Sequence, residues 1–275
     1  MTAAADPTPQ QMPDTWSAVA TGYDAEFARL TGGYSDELLD LVGRELDEQV
    51  LDVAAGSGAF TVRAAHLGAA VTATDFAPGM VEFLRQRIVR ENLSRVTAEV
   101  MDGQALEFAD ATFDLTVSMF GVIFFPDIDK GLAEMARVTR SRGRVCVSTW
   151  DLAGFRLTEL VHQAFIRARP EFDSAQEPPA WARIGDPEGL RGALADAGLD
   201  PVHVHVVTRS WTWDDPAEFF RRMPGWSPPV QALFAAMDAA TIDAAAQAFA
   251  DLVAEHAGRR HGVEVSALIG IGTKP

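Results

Sequence analysis

The segment Leu51-Asp52-Val53-Ala54-Ala55-Gly56-Ser57-Gly58 constrains this chain more than any other. An apolar run over residues 49–54 reads as a buried strand, and residues 60–67 read as a helix that ends at Gly68. Between them lies a turn with glycine at positions 56 and 58. Without a Cβ, the backbone there turns tightly and a ligand can approach it closely. Strand, glycine turn and helix in succession open a βαβ unit, the building block of a parallel sheet covered by helices. The same order also serves as a plain structural turn, so the loop needs support from elsewhere in the chain.

The rhythm downstream supplies it. Residues 70–74, 95–100, 113–119 and 144–150 read as further strands, with helices over 78–92 and 127–139 between them. Pro78 suits the first turn of its helix, where a missing N–H costs nothing. The core therefore runs over residues 49–150. Beyond Trp150 the pattern changes. Residues 151–185 read as a helical insertion, 186–210 return a helix and a strand to the core, 211–262 form a second helical insertion, and 263–275 carry the last strand. Ahead of the core, residues 16–48 read as helical and 1–15 as a disordered leader.

Two acids sit where the strands end. Asp75 closes the second strand, a place from which a carboxylate can accept hydrogen bonds from both hydroxyls of a ribose. Asp102 follows the third strand and can accept a bond from an exocyclic amine of adenine. Either acid alone also serves as a helix cap or turn residue. Three consecutive strand ends bearing loop, acid and acid point together to a nucleoside-containing cofactor.

With these residues in place, the sequence resembles the class I methyltransferases, the group that includes enzymes of ubiquinone and menaquinone biosynthesis and of secondary metabolism. The family's acid-x-Gly-x-Gly-x-Gly motif matches Asp52, Ala54, Gly56 and Gly58, with alanine at the first glycine position. Its later motifs match Val71 to Met80, Met101 to Phe108, Phe113 to Asp127 and Ala136 to Val145, and Ala20 to Asp24 resembles its N-terminal lid. The resemblance implies a Rossmann-like α/β fold: a doubly wound, seven-stranded, mostly parallel sheet of order 3-2-1-4-5-7-6, with residues 16–48 and the two insertions as a helical lid. It implies S-adenosylmethionine as cofactor and methyl transfer to a small molecule as the reaction.

The resemblance also assigns positions. Gly56 and Gly58 would hold the methionine end of the cofactor, with Asp52 near its ammonium group. Asp75, followed by Phe76, would bind the ribose, and Asp102, Gly103 and Gln104 would frame the adenine. Met119 and Phe120 would lie beside the sulfur, and Tyr23 could close over the methionine portion or simply pack in the lid. Phe124, Phe125 and Trp150 are candidates for contact with the acceptor. Trp181, Trp211, Trp213, Phe219, Phe220 and Trp226 read as the core of the insertions or as an apolar pocket. His162 is a candidate base if the acceptor must lose a proton, or else a packing histidine. His203 and His205 alternate on one strand and lack an obvious third metal ligand.

Other classes fit less well. Acids outnumber Lys and Arg by 39 to 23, a net charge of −16 that disfavours nucleic acid as a partner. The longest basic run is only Arg259, Arg260 and His261. Enzymes that methylate base amines carry Asn/Asp-Pro-Pro-aromatic after the fourth strand, where this chain reads Ser118-Met119-Phe120-Gly121. A dinucleotide loop of the form Gly-x-Gly-x-x-Gly would place glycine at Thr61. The single cysteine, Cys146, leaves no internal disulfide or multi-cysteine metal cluster. No membrane-spanning run and no signal-peptide pattern are present, so a cytoplasmic protein is expected. A protein of this fold that catalyses cyclisation, or only binds its cofactor, remains the alternative.

Overall fold

A computed structural model describes residues 8–44, 48–172, 178–257 and 262–275. Its centre is a seven-stranded sheet of order β3-β2-β1-β4-β5-β7-β6. The strands are β1 (Gln49–Val53), β2 (Ala70–Asp75), β3 (Val96–Val100), β4 (Phe113–Met119), β5 (Thr139–Phe155), β6 (Val202–Thr212) and β7 (Gly262–Thr273). The first five pair in parallel, and β7 runs antiparallel to both β5 and β6. Val50, Leu51 and Val53 are fully buried. A strand enclosed on both faces needs an unbroken apolar run of this kind.

Helices cover both faces. On one, α2 (Ala28–Val42) and α3 (Ala59–His66) set Leu38, Leu39, Phe60 and Val62 against Val50, Val71, Leu115 and Val117. On the other, α5 (Ile128–Val138) and α7 (Pro187–Asp196) bury Leu132, Met135, Leu190 and Leu194. Side chains that accept the first free N–H groups start these helices: Asp127 caps α5 and Asp186 caps α7. Pro78 opens α4 (Pro78–Arg90), in its first turn as expected.

The insertions are largely helical. α6 (Arg156–Ala168) follows β5, while α8 (Pro216–Arg222), α9 (Pro228–Ala235) and α10 (Ala239–Ala257) lie between β6 and β7. α10 packs along α6 and α8, which makes one cap of the two insertions. β5 is longer than the expected 144–150, because its ends pair with β4 at Phe113 and with β7 at Val265 across irregularities in register.

Within the stretch 1–15 expected as a disordered leader, the described residues 9–11 and 13–15 are helical. Residues 9–11 form a 3-10 turn and α1 (Pro13–Gly22) begins at Pro13, while residues 1–7 lie outside the described residues. Between α1 and α2, Tyr23–Phe27 form a π-helical turn in which the Ala28 N–H bonds the Tyr23 carbonyl five residues back. Among the described residues, no helix is long and apolar enough to cross a membrane.

Candidate functional site

The carboxyl ends of β1 to β4 open on one cleft of about 230 Å³. Strand order reverses between β1 and β4, the switch point at which open α/β sheets receive ligands. Ala54 and Gly56 enter the cleft after β1, Asp75 and Phe76 at the end of β2, and Met101 to Gln104 after β3. Met119, Phe120 and Gly121 enter after β4, with Phe124, Phe125 and Pro126 just beyond.

The loop after β1 takes its shape from left-handed residues. Ala54, Gly56 and Gly58 have φ of 56°, 56° and 86°. Ala54 therefore adopts this conformation with a side chain, at a cost a glycine would avoid. A Cβ on Gly58 would come within 2.4 Å of the Leu84 Cδ1, so this glycine lets α4 pack against the turn rather than lining the cleft.

Asp75 fastens the loop to β2. Its Oδ2 accepts from the Gly56 N–H and its Oδ1 from the Ala77 N–H, both at 2.9 Å. Burial raises its carboxyl to about 6, against the pull of those two N–H groups. Asp52 is more enclosed and accepts from the Thr61 hydroxyl at 2.5 Å. Burial pushes it up to about 7, with the Thr61 bond opposing and the Asp75 charge adding. It faces a side chamber of about 20 Å³ shared with Thr31 and Ser35, and Tyr23, Ala54 and Met119 line both this chamber and the main cleft.

Across the floor, the exposed Asp102 accepts from the Gln104 backbone N–H at 2.9 Å and from its side-chain amide at 3.1 Å. The Gln104 Oε1 accepts from the Asp127 N–H, which ties the loop after β3 to the start of α5. Gly103 leaves room for Phe125, whose Cζ would stand 2.4 Å from a Cβ there. Phe120, like Ala54, is a non-glycine residue of the cleft in left-handed geometry, with φ of 61°. Its N–H donates to the Ser148 hydroxyl at 2.9 Å, and its ring stacks on Trp150 at 4.1 Å.

The opposite wall comes from the N-terminal segment. Gln11, Pro13, Trp16 and Tyr23 line it. The Trp16 indole donates to the Gln10 carbonyl, and its ring meets Tyr23 and Phe124 edge-on at 5.8 and 5.0 Å. The Gly79 N–H donates to the Ser17 hydroxyl, which fixes α1 on α4. Ion pairs Asp24–Arg87 at 3.4 Å and Glu26–Arg222 at 3.2 Å tie the following turn to α4 and α8. Burial, with the Asp75 charge behind it, raises the Tyr23 hydroxyl above its ordinary range, so it stays protonated.

Most of the residues singled out from sequence thus meet at one cleft, with Asp52 in the adjoining chamber. Trp150 and His162 do not line it. Trp150 is buried, stacked between Phe120 and Phe155. His162 is half-buried on α6, and burial lowers its pKa. His203 and His205 lie on β6, and among the described residues no three His, Cys, Asp or Glu side chains group to hold a metal. The basic run at 259–261 lies outside the described residues. Sequence reasoning missed Gln11, Pro13, Trp16, Met80, Met101, Gly121 and Pro126. Pro13 followed by Asp14 is a helix-start signal that places α1, and with it Trp16, ahead of the core.

A family model described as a methyltransferase domain matches residues 50–143. A demethylmenaquinone methyltransferase of Mycobacterium sp. is 30% identical over 232 residues, covering 82% of this chain and 89% of that protein. The chain belongs to the class I methyltransferases. S-adenosylmethionine is the cofactor of this family. An uncharacterised Mycobacterium tuberculosis protein is 38% identical over 146 residues, and the chain spans about half, 52%, of the length of that relative. The 4+2 cyclase SpnF shares the fold, with a TM-score of 0.55 at 19% identity over 98% of this chain and 97% of its own.

Proposed function

We propose that the chain transfers a methyl group from S-adenosylmethionine to a small-molecule acceptor, as in secondary metabolism. The observation that carries this reading is the meeting of the left-handed loop, Asp75 and Asp102 in one cleft at the sheet's switch point. The donor set fits the cofactor. Each Asp75 oxygen accepts one backbone N–H and keeps a lone pair for a ribose hydroxyl. The free oxygen of Asp102, beside Gly103 and Gln104, suits the adenine amine. Asp52 lies behind Tyr23, Ala54 and Met119, where a buried carboxylate favours an ammonium group.

When bound, the cofactor supplies a methyl group already activated by a positively charged sulfur. What remains for the chain is positioning and exclusion of water. Met119 and Phe120 form the wall at the sheet's switch point, while Tyr23 and Trp16 cover the opposite side. Among the described residues no histidine, His162 included, lines the cleft, which suits an acceptor that needs no protein base. The net charge of −16 favours a small molecule over nucleic acid as acceptor. The second reading, a cyclisation or a binding role, draws on the likeness to SpnF along nearly the whole of both chains.

Calorimetric titration with S-adenosylmethionine, S-adenosylhomocysteine and NAD tests the site. Saturable binding of the two sulfur compounds and none of NAD is expected. Absence of binding by both sulfur compounds would falsify the reading. Transfer of a labelled methyl group to an acceptor pool then separates methylation from the second reading.

A further inference from the structure

The sheet ends on two unlike edges. β3 is five residues long and carries the exposed Glu99, a charge of the kind that keeps an edge strand from pairing with another chain. β6 is eleven residues long and reads VHVHVVTRSWT, with no carboxylate in a chain of net charge −16. It pairs with β7 on one side, and among the described residues no strand pairs with its other side. Its outer backbone N–H and C=O groups therefore offer a template for a further strand.

The two faces of β6 differ. Alternation puts His203 and His205 on one face and Val202, Val204 and Val206 on the other. The histidines lie opposite Ile271 and Ile269 of β7, on the face that α2 and α3 cover further in. His203 is exposed and His205 half-buried, and among the described residues neither imidazole has a hydrogen-bond or ion-pair partner. Val204 lies opposite Gly270, against which Leu194 of α7 packs. On the same face Val206 is 55% exposed, an apolar side chain left open at the rim of the sheet.

Two imidazoles are half of a tetrahedral zinc site, and among the described residues one copy brings them no third ligand. A second copy completes the set in one register. When two β6 strands pair antiparallel about Val204, His203 of each copy stands opposite His205 of the other. Opposed residues are about 4.5–5.5 Å apart, and alternate residues of one strand about 6.5 Å. Four imidazoles then surround one point, within reach of Zn–N bonds of about 2.0–2.1 Å. The same register sets the exposed Val206 of each copy beside Val202 of the other on the opposite face. Registers centred on Val206 or Val207 would instead put Arg209 opposite a histidine of the second copy.

We propose that two copies of this chain pair through β6 and that one zinc ion, held by His203 and His205 of each, bridges them. The ion brings positive charge to a contact between two acidic chains, and the short run of paired residues makes the dimer depend on it. This goes beyond the methyl-transfer reading and stands apart from its outcome.

The test follows the mass of the full, untagged chain by light scattering after size exclusion, in EDTA and with zinc chloride. The expected result is one chain, 29.7 kDa, in EDTA, and twice that mass at one zinc per two chains, reversed by EDTA. Cobalt(II) in place of zinc should show the visible absorption of a tetrahedral site. His203→Ala, a change at an exposed position, should keep its melting temperature in EDTA and stay at the mass of one chain in zinc. Val204→Cys tests the register, because the two thiols meet at the two-fold axis while Cys146 is buried. A short bismaleimide should link its copies in zinc and not in EDTA. A wild-type mass of one chain in zinc, a dimer already complete in EDTA, a zinc dimer formed equally by His203→Ala, or no zinc-dependent link at position 204 overturns the proposal.

Discussion

Across the cleft, Gly56 and Asp75 on the strand side face Trp16 and Tyr23 on the lid side, and the two walls keep their shape by different means. The strand wall is set by backbone: left-handed residues after β1 and a carboxylate that accepts two N–H groups. Such bonds have directions and lengths, so this wall presents polar groups at fixed points. The lid wall is set by rings meeting edge-on at 5 to 6 Å, held to α4 and α8 by one hydroxyl bond and two ion pairs. Ring packing tolerates rearrangement far better than a two-point carboxylate staple. A cofactor common to a family suits the first wall, and an acceptor peculiar to one enzyme suits the second.

The comparison breaks most easily at Asp75. Asp75→Ala leaves the Gly56 and Ala77 N–H groups without their acceptor, at a cost of about 2–4 kcal/mol in stability if each loses about 1–2. Affinity for S-adenosylhomocysteine should fall at least tenfold with it. Urea denaturation and calorimetry check both, and a variant with wild-type affinity would show that the staple does not shape the site.

The acids of the strand wall also predict a pH response. Asp52 at about 7 and Asp75 at about 6 lie above the unfolded carboxylate value of about 4. The folded, ligand-free chain then binds more protons than the unfolded chain, so its stability falls as pH rises from about 4 to 7. A cationic ligand beside the same groups favours their ionised forms. Its affinity should therefore rise on the order of tenfold between about pH 5.5 and 7.5. S-adenosylmethionine should show the steeper rise, because its sulfur is charged and that of S-adenosylhomocysteine is not. Equal and flat profiles for both ligands would contradict this.

The smallest effect is expected on the lid. Glu26→Gln removes a partly exposed ion pair with Arg222 and should change stability by about 0.5 kcal/mol or less. A thermal melt shifted by many degrees would mean that charge, and not ring packing, holds the lid to the cap.

The same contrast explains what the sequence disclosed. The glycine loop, Asp75 and Asp102 were legible because strand ends and turns leave local signatures, and the residues concerned do converge on the cleft. The strand order followed from resemblance and matches the observed β3-β2-β1-β4-β5-β7-β6. The extent of β5 was not legible, since Thr139 and Phe155 join it only through partners on β4 and β7. Trp150 looked like a pocket residue from its place near a strand end, yet its surroundings depend on Phe120 and on Phe155, beyond the expected strand. Trp16 was missed as a cleft residue because nothing local says that α1 folds back over α4.

One methyl group near the loop has a longer reach than its size suggests. A Cβ on Gly121 would sit 2.5 Å from the Cβ of Ala54, so the alanine that replaces the family's first glycine occupies space that residue 121 must leave empty. The Ser118 Oγ would stand 2.7 Å from the same Cβ, so the slot is closed from two sides. With alanine at 54 and serine at 118, a side chain at 121 would need both neighbours to give way. A substitution that looks neutral in the loop after β1 thereby bears on which changes after β4 are available, and so narrows the routes by which this end of the cleft can be remodelled.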